Sequence, residues 1–210
     1  MKAVFFDFDG TLIDSSVDLA NAVNSMLKTM GYETFEVERI RSWIGGGAKK
    51  LVERALKEGK IDENIDDALK VFMNFYDKNL TKNTILYPDV IEVLETLQKN
   101  YILTLITNKP YKFTIPILKH FDMEKYFKIV LGADSLKYKK PHPYPIEYCL
   151  DKLSLSKDEA IMVGDSKNDI ISANEAGIKS ILLSYGFGDD EKYKPTFVCN
   201  ELKEILKCIK

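Results

Sequence analysis

Cysteine is scarce in this chain of 210 residues, and Cys149, Cys199 and Cys208 form neither an even set nor a metal-binding spacing. That excludes a disulfide framework and a cysteine zinc site, and leaves reduced, packed thiols as the expectation. Histidine is scarcer still: His120 and His142 are the two present, and both are expected to be structural or at the surface. Charge of one sign is lacking as well, since 30 basic and 32 acidic residues give a formal net charge of −2. That balance excludes a general nucleic-acid or membrane-binding surface. No apolar run approaches the roughly 20 residues of a membrane span. The first run, Ala3-Val4-Phe5-Phe6, stops at Asp7, unlike a signal peptide. The expectation is a soluble protein of the reducing cytoplasm. Monomer and homodimer are equally compatible with these numbers. What remains is ordinary globular material, 45% apolar and 30% charged, long enough for one domain or a domain with an insertion.

Periodicity divides the chain. Residues 3–7 read as a short buried strand. Residues 14–80 then read as helical, with no strand among them. Leu19, Ala20, Val23, Leu27 and Met30 recur at helical spacing after the capping residues Asp14, Ser15 and Ser16, and Gly31 ends the run. Helical segments follow at 37–44, 48–57 and 65–80, with Gly45-Gly46-Gly47 breaking the first from the second. Beyond them the pattern alternates. Apolar runs at 101–107, 127–131, 160–164 and 179–183 read as strands covered on both faces, and 197–198 as a last edge strand. Helical patterns lie after Pro88 and at 111–121, 144–153, 168–177 and 201–209, and Pro116 is expected to kink the second of these. Such alternation builds a parallel sheet with right-handed crossovers. The expected fold is α/β: a Rossmann-like parallel sheet core from residues 1–13 and 84–210, with an inserted helical cap domain at 14–83.

Ligands of such sheets bind beyond the carboxyl ends of the strands. The polar residues gathered there are Asp7-Phe8-Asp9-Gly10-Thr11 after the first strand and Thr107-Asn108 after the second. Gly164-Asp165-Ser166-Lys167-Asn168-Asp169 follows the strand at 160–164, and Lys139-Lys140-Pro141-His142-Pro143 forms a loop. In this order, on these elements, they resemble the four motifs of the haloacid dehalogenase superfamily. The helical insertion after the first motif resembles that family's smaller helical cap. Within the superfamily, Ile44-Gly45-Gly46-Gly47-Ala48, Leu86-Tyr87-Pro88, Thr107-Asn108-Lys109-Pro110 and Lys140-Pro141-His142-Pro143 are similar to the phosphoglycolate phosphatases.

The residue types agree with the chemistry that this resemblance implies. Strand alternation puts Asp7 and Asp9 on one side and Phe8 on the other. Asp7 is then the nucleophile toward phosphorus, giving an aspartyl phosphate, and Asp9 the acid and base that serves the leaving oxygen and then the attacking water. Crowding and partial burial are expected to raise the pKa of Asp9 for the first task. Gly10 lets the backbone approach the substrate, and Thr11 belongs to the same binding turn. Asp7 and Asp165 make a hard oxygen site that suits Mg²⁺, to which the resemblance adds the Asp9 backbone carbonyl. Lys140 brings positive charge to the phosphoryl group, Thr107 and Asn108 donate to its oxygens, and Asp169 and Ser166 orient these groups from behind. With Asp9 protonated, three carboxylates balance Lys140 and Mg²⁺. Selection of the leaving group falls to the cap and to hinges near 12–16 and 80–86. Gly45, Gly46 and Gly47 are either an N–H cradle for a remote substrate carboxylate or a plain connector. Arg41, Lys49 and Lys50 are candidates to add charge there, and Trp43 either packs the cap or faces the site. The expected activity is a Mg²⁺-dependent phosphatase of a small phosphate ester, 2-phosphoglycolate foremost. A sugar phosphomutase, a pyrophosphatase and a nucleotidase of the same superfamily are the alternatives.

Overall fold

A computed structural model describes residues 1–188 and 191–209. The chain opens with β1 (Ala3–Phe6) and β2 (Ile13–Asp14), followed by four helices: α1 (Ser16–Thr29), α2 (Val37–Arg41), α3 (Ala48–Glu58) and α4 (Ile65–Asp77). Strands and helices then alternate through β3 (Ile85–Leu86), α5 (Val90–Leu97), β4 (Ile102–Ile106), α6 (Tyr111–His120), β5 (Phe127–Leu131) and α7 (Tyr144–Leu153). The last elements are β6 (Ala160–Gly164), α8 (Lys167–Ala176), β7 (Lys179–Leu183), β8 (Phe197–Cys199) and a single turn, α9 (Ile205–Cys208). No helix among the described residues is long and apolar enough to cross a membrane.

Six strands form one parallel sheet in the order β5-β4-β1-β6-β7-β8. Strand alternation sorts the side chains of β1 into two layers. Val4 and Phe6 join a core with Leu94 of α5, Ile117 of α6 and Ile205 of α9, while Ala3 and Phe5 face Ile146 of α7 and Ala173 of α8. Helices on both faces explain why every residue of β1 and β6 is buried and why these strands are continuously apolar. Helices α1–α4 keep a separate apolar cluster, built on Val23, Leu27, Ile40, Val52 and Phe72, which Phe113 of α6 enters from the sheet side.

A feature with no sequence pattern joins the helical layer to the sheet. β2 and β3 pair as an antiparallel ribbon, Ile13 with Leu86 and Asp14 with Ile85. At two residues each, these strands are too short to show any period. Asp18 fastens the same crossing: its buried carboxylate accepts from the backbone N–H and side chain of both Asn83 and Thr84 at 2.8–3.0 Å. Pro116 lies inside α6 without ending it. One local expectation fails. The stretch 201–209 is not one helix but a 3₁₀ turn at Leu202–Glu204 followed by α9.

Candidate active site

β1 lies between β4 and β6, so the three motif-bearing strand ends stand side by side where the strand order reverses. The Asp7 N–H continues the ladder by donating to Val163 at 2.9 Å, and the Thr107 N–H donates to Leu131 at 2.9 Å. Past the strand end Phe8 turns into the core, while Asp7 and Asp9 both face a cavity of about 470 Å³, counting its opening to solvent.

Asp7 sits in a nest of acids around one lysine. Lys140, 1% exposed, places its ammonium 2.9 Å from Asp7 Oδ1 and donates to Asp169 Oδ1 at 2.6 Å. The other Asp169 oxygen accepts from the Ser166 N–H and hydroxyl at 3.1 and 2.8 Å, capping α8. Asp165 accepts from the Thr11 hydroxyl at 3.0 Å and the Phe187 N–H at 2.8 Å. Gly10, at φ +86°, packs against that carboxylate, and a Cβ there would lie 2.2 Å from Asp165 Oδ2. Gly10 and Thr11 therefore shape the seat of Asp165. They do not line the cavity, which differs from the substrate contact expected of them.

Burial first, and then the charge of Asp169, push the Asp7 carboxyl up to about 7, against the pull of Lys140. Burial and the charges of Asp169 and Asp7 raise Asp165 well above the usual carboxylate range. Burial works against the Lys140 ammonium too, but the charges of Asp169 and Asp7 outweigh it and raise its pKa. Oxygens of Asp7, Asp165 and Asp169 lie within 4.8 Å of one another, and Asp7 Oδ1 has no directed hydrogen bond despite its burial. Three acids against one lysine and an all-oxygen donor set fit a hard divalent cation such as Mg²⁺. Asp169 spends its oxygens on Lys140 and Ser166, and Asp165 spends its own on Thr11 and Phe187, so hydrogen bonding alone does not rank these two acids as donors to such a cation.

Asp9 has different company. Its Oδ1 accepts from the Ser15 hydroxyl at 2.5 Å, and Lys109 Nζ reaches Oδ1 and Oδ2 at 2.9 and 3.2 Å. Lys109 also donates to the Tyr76 hydroxyl at 2.6 Å. Burial opposes the Lys109 charge, but Asp9 and Tyr76 outweigh it and raise its pKa. Burial pushes the Tyr76 phenol up to about 12. Sequence reasoning quoted Lys109 inside a motif and gave it no role. Its signal was position, two residues beyond Thr107 at a strand end beside Asp9. The charge balance changes with it: four carboxylates face Lys140, Lys109 and one divalent cation, and neutrality no longer needs a protonated Asp9.

Thr107 lines the cavity, and its hydroxyl oxygen accepts from the Lys109 N–H at 3.1 Å. Asn108 spends its amide protons on Gly45 O and Lys140 O at 3.2 and 2.9 Å, so its side chain is a brace between the glycine loop and the lysine loop. Asn168 also donates to Gly45 O, at 3.0 Å, and Lys139 to Gly46 O, at 2.9 Å. The loop thus meets the sheet side through its carbonyls, while Gly45 and Gly47 border the cavity. The candidate cap charges lie elsewhere. Arg41 pairs with Asp14 at 2.8 Å, Lys49 with Asp66 at 2.8 Å and Lys50 with Glu53 at 2.8 Å. Trp43 packs in the helical cluster, edge-on to Phe35. His142 stacks on Tyr138, with ring centroids 4.1 Å apart. The cysteines are free, but the fold brings Cys199 and Cys208 to 3.9 Å between sulfurs, a proximity their spacing does not reveal.

The chain is similar to known proteins. The chain matches the family described as haloacid dehalogenase-like hydrolase over residues 4–183. It is 41% identical to a phosphoglycolate phosphatase of Colwellia psychrerythraea, over 100% of this chain and 97% of that protein. It is 42% identical to one of Psychrobacter arcticus, over 98% and 94%. A crystal structure described as a predicted phosphoglycolate phosphatase from Haemophilus somnus superposes with a TM-score of 0.93 at 35% identity, covering 100% of this chain and 98% of that one. The chain therefore belongs to the haloacid dehalogenase-like hydrolases and is similar over its whole length to members called phosphoglycolate phosphatases.

Proposed function

We propose that the chain is a Mg²⁺-dependent phosphatase of a small phosphate monoester, and that this ester is 2-phosphoglycolate. The observation that carries the reading is the buried nest of Asp7, Lys140, Asp165 and Asp169 opening on the cavity that Asp9 also faces. Asp7 attacks phosphorus, the bond to the leaving oxygen breaks, and Asp9 supplies the proton to that oxygen. Asp9 then takes a proton from the water that cleaves the aspartyl phosphate, releasing inorganic phosphate and restoring Asp7. Asp7 and Asp165, with the Asp9 carbonyl, would hold Mg²⁺, which supplies the positive charge that lets a carboxylate approach a phosphate dianion. Lys140 adds to that charge, held by Asp169 and Ser166 behind it, and Thr107 donates its hydroxyl to the phosphoryl oxygens.

Residues 14–83 act in this reading as a cap over a core of 1–13 and 84–210. Leu19, Ala48, Leu51 and Phe72 from the helical layer wall the cavity and keep water from the reacting groups. A phosphomutase of the same chemistry needs a second phosphate subsite. This cavity offers a single ammonium outside the Asp7 nest, already paired with Asp9, which favours hydrolysis of a small ester. The test is a panel of phosphate esters assayed with Mg²⁺ and with chelator, alongside Asp7→Asn. We expect 2-phosphoglycolate to lead the panel, chelation to abolish turnover, and Asp7→Asn to lose at least about 10³-fold in kcat, as removal of a catalytic nucleophile does. Full turnover by that variant would sink the covalent scheme.

A further inference from the structure

The ester oxygen that Asp9 must protonate fixes where the rest of the leaving group lies. In 2-phosphoglycolate the carboxyl carbon is two bonds from that oxygen. The nearest positive charge to Asp9 is the Lys109 ammonium, hydrogen-bonded to it and to Tyr76. Both side chains line the cavity, and among the described residues that line it Lys109 is the one basic side chain, the other charged groups being Asp7 and Asp9. Other candidate cations are committed elsewhere: Arg41 to Asp14, Lys49 to Asp66, Lys50 to Glu53 and Lys139 to the Gly46 carbonyl. Without a cation, a buried substrate carboxylate beside two acids would pay its full desolvation cost and their repulsion.

We infer that Lys109 and Tyr76 form the subsite that binds the leaving group's carboxylate and selects it over a neutral group, an inference that rests on the phosphatase reading above. The pair is built for this. Asp9 fixes the lysine from one side. Tyr76 is set by Phe72, stacked at 5.8 Å between ring centroids, and by Phe113, edge-on at 5.1 Å. Its oxygen accepts from Lys109, and no described acceptor takes its own proton, so the phenol has a donor for the substrate. An ammonium and a hydroxyl side by side match the two oxygens of one carboxylate. They also come from different layers, Lys109 from beyond β4 and Tyr76 from α4. The subsite is therefore complete only when the helical layer is seated on the sheet.

The experiment compares 2-phosphoglycolate with 2-hydroxyethyl phosphate, which carries a hydroxymethyl group where the acid has its carboxylate. Wild type, Lys109→Met and Tyr76→Phe are assayed on both. Losing Lys109 also disturbs Asp9, but that loss is common to both esters and divides out of the ratio of kcat/KM values. We expect Lys109→Met to lower that ratio by about 10–100-fold, the weight of a charged hydrogen bond, mainly through KM for the carboxylated ester. Tyr76→Phe should lower it by about fivefold, the weight of a neutral one. Calorimetry adds a readout that needs no turnover: 3-phosphonopropionate, a non-hydrolysable analogue, should bind Lys109→Met at least about tenfold more weakly than wild type. If Lys109→Met melts early, Tyr76→Phe decides, since it removes a single hydroxyl. A ratio within about threefold of wild type in the folded variants overturns the subsite and leaves the phosphatase intact. A wild type that hydrolyses neither ester overturns the phosphatase reading, and the subsite with it.

Discussion

Asp7 and Asp9 are two residues apart and belong to different parts of the molecule. Everything that touches the Asp7 carboxylate comes from the sheet side: Lys140 at 2.9 Å, with Asp165 and Asp169 within reach of a shared cation. The Asp9 carboxylate is held from both sides, by Lys109 beyond β4 and by Ser15 at the start of the helical layer, and Lys109 in turn reaches Tyr76 of α4. One half of the site is a closed nest whose excess negative charge calls for a metal. The other is a chain of hydrogen bonds that exists only across the boundary between the two layers. The division suits the proposed chemistry. The phosphoryl group is common to all substrates and needs a rigid seat, whereas the leaving group varies and is met by the half that the helical layer completes.

Removing the lysine of each half sharpens the contrast most. Lys140→Met leaves Asp7, Asp165 and Asp169 buried with no protein cation, so we expect a stability loss of about 3–5 kcal/mol in the presence of chelator, the scale for breaking a buried ion pair. Lys109→Met strands one carboxylate, whose side chain keeps 13% of its surface in solvent and its bond to Ser15. Its loss should be about half as large, given that milder burial. Denaturant melts of both variants decide it. Equal losses would mean that the two halves are not electrostatically distinct. Added Mg²⁺ should recover part of the Lys140→Met loss and little of the Lys109→Met loss, because only the first frees acids around the proposed metal seat.

Most of the Asp7 half was legible in the sequence, and the Asp9 half was not. Asp7, Lys140, Asp165 and Asp169 fall on strand ends and loops whose order follows from alternation of apolar runs and helical patterns. Topology then brings them together. The partners of Asp9 depend on how a separately packed layer is seated, and no local pattern encodes that. Tyr76 lies within the helical pattern at 65–80 and is buried in the structure; its hydroxyl matters only because α4 is set against Lys109. The ribbon that seats the layer, Ile13 and Asp14 against Leu86 and Ile85, is too short for any period to show. Arg41 read as a free charge for the substrate, and the structure spends it on Asp14 at that same ribbon.

The metal dependence should also carry the signature of the Asp7 half. An ordinary aspartate titrates near 3.8 unfolded, and Asp7 is raised to about 7 in the folded, metal-free protein. Between those values the folded state binds more protons than the unfolded one, so stability falls as pH rises. The penalty is absent below about pH 4 and complete above about pH 7, and the raised Asp165 adds to it in the same direction. In chelator the melting temperature should therefore drop from pH 5 to pH 8, and Asp7→Asn should flatten part of that slope. Mg²⁺ favours the deprotonated carboxylates, so its stabilising shift should grow over the same range. A Mg²⁺ shift that is larger at pH 5 would contradict the assignment.

The smallest effects test the seating of the helical layer, and they separate two neighbouring glycines. Gly47 has φ +87°, and a Cβ there would stand 2.9 Å from the Asn108 carbonyl and 3.0 Å from Lys139 Nζ, against the docking face. A Cβ on Gly46 would meet Lys50 Cγ at 2.9 Å and Lys50 Cβ at 3.0 Å, a clash that lies within the helical layer and not at the docking face. Gly47→Ala should therefore cost about 1–2 kcal/mol of backbone strain and loosen the layer, raising KM for carboxylated and neutral esters alike, by about five- to tenfold. Gly46→Ala should keep KM within about twofold of wild type for both esters, because the strain it adds stays inside the helical layer. If Gly46 instead bound the substrate carboxylate through its N–H, its variant would raise KM for the carboxylated ester alone. The Mg²⁺-induced shift in melting temperature should be unchanged in both variants, since no described hydrogen bond or ion pair runs directly from the helical layer to the side chains of Asp7, Lys140, Asp165 or Asp169. A Gly47→Ala protein that lost that shift would show that the two halves of the site are one.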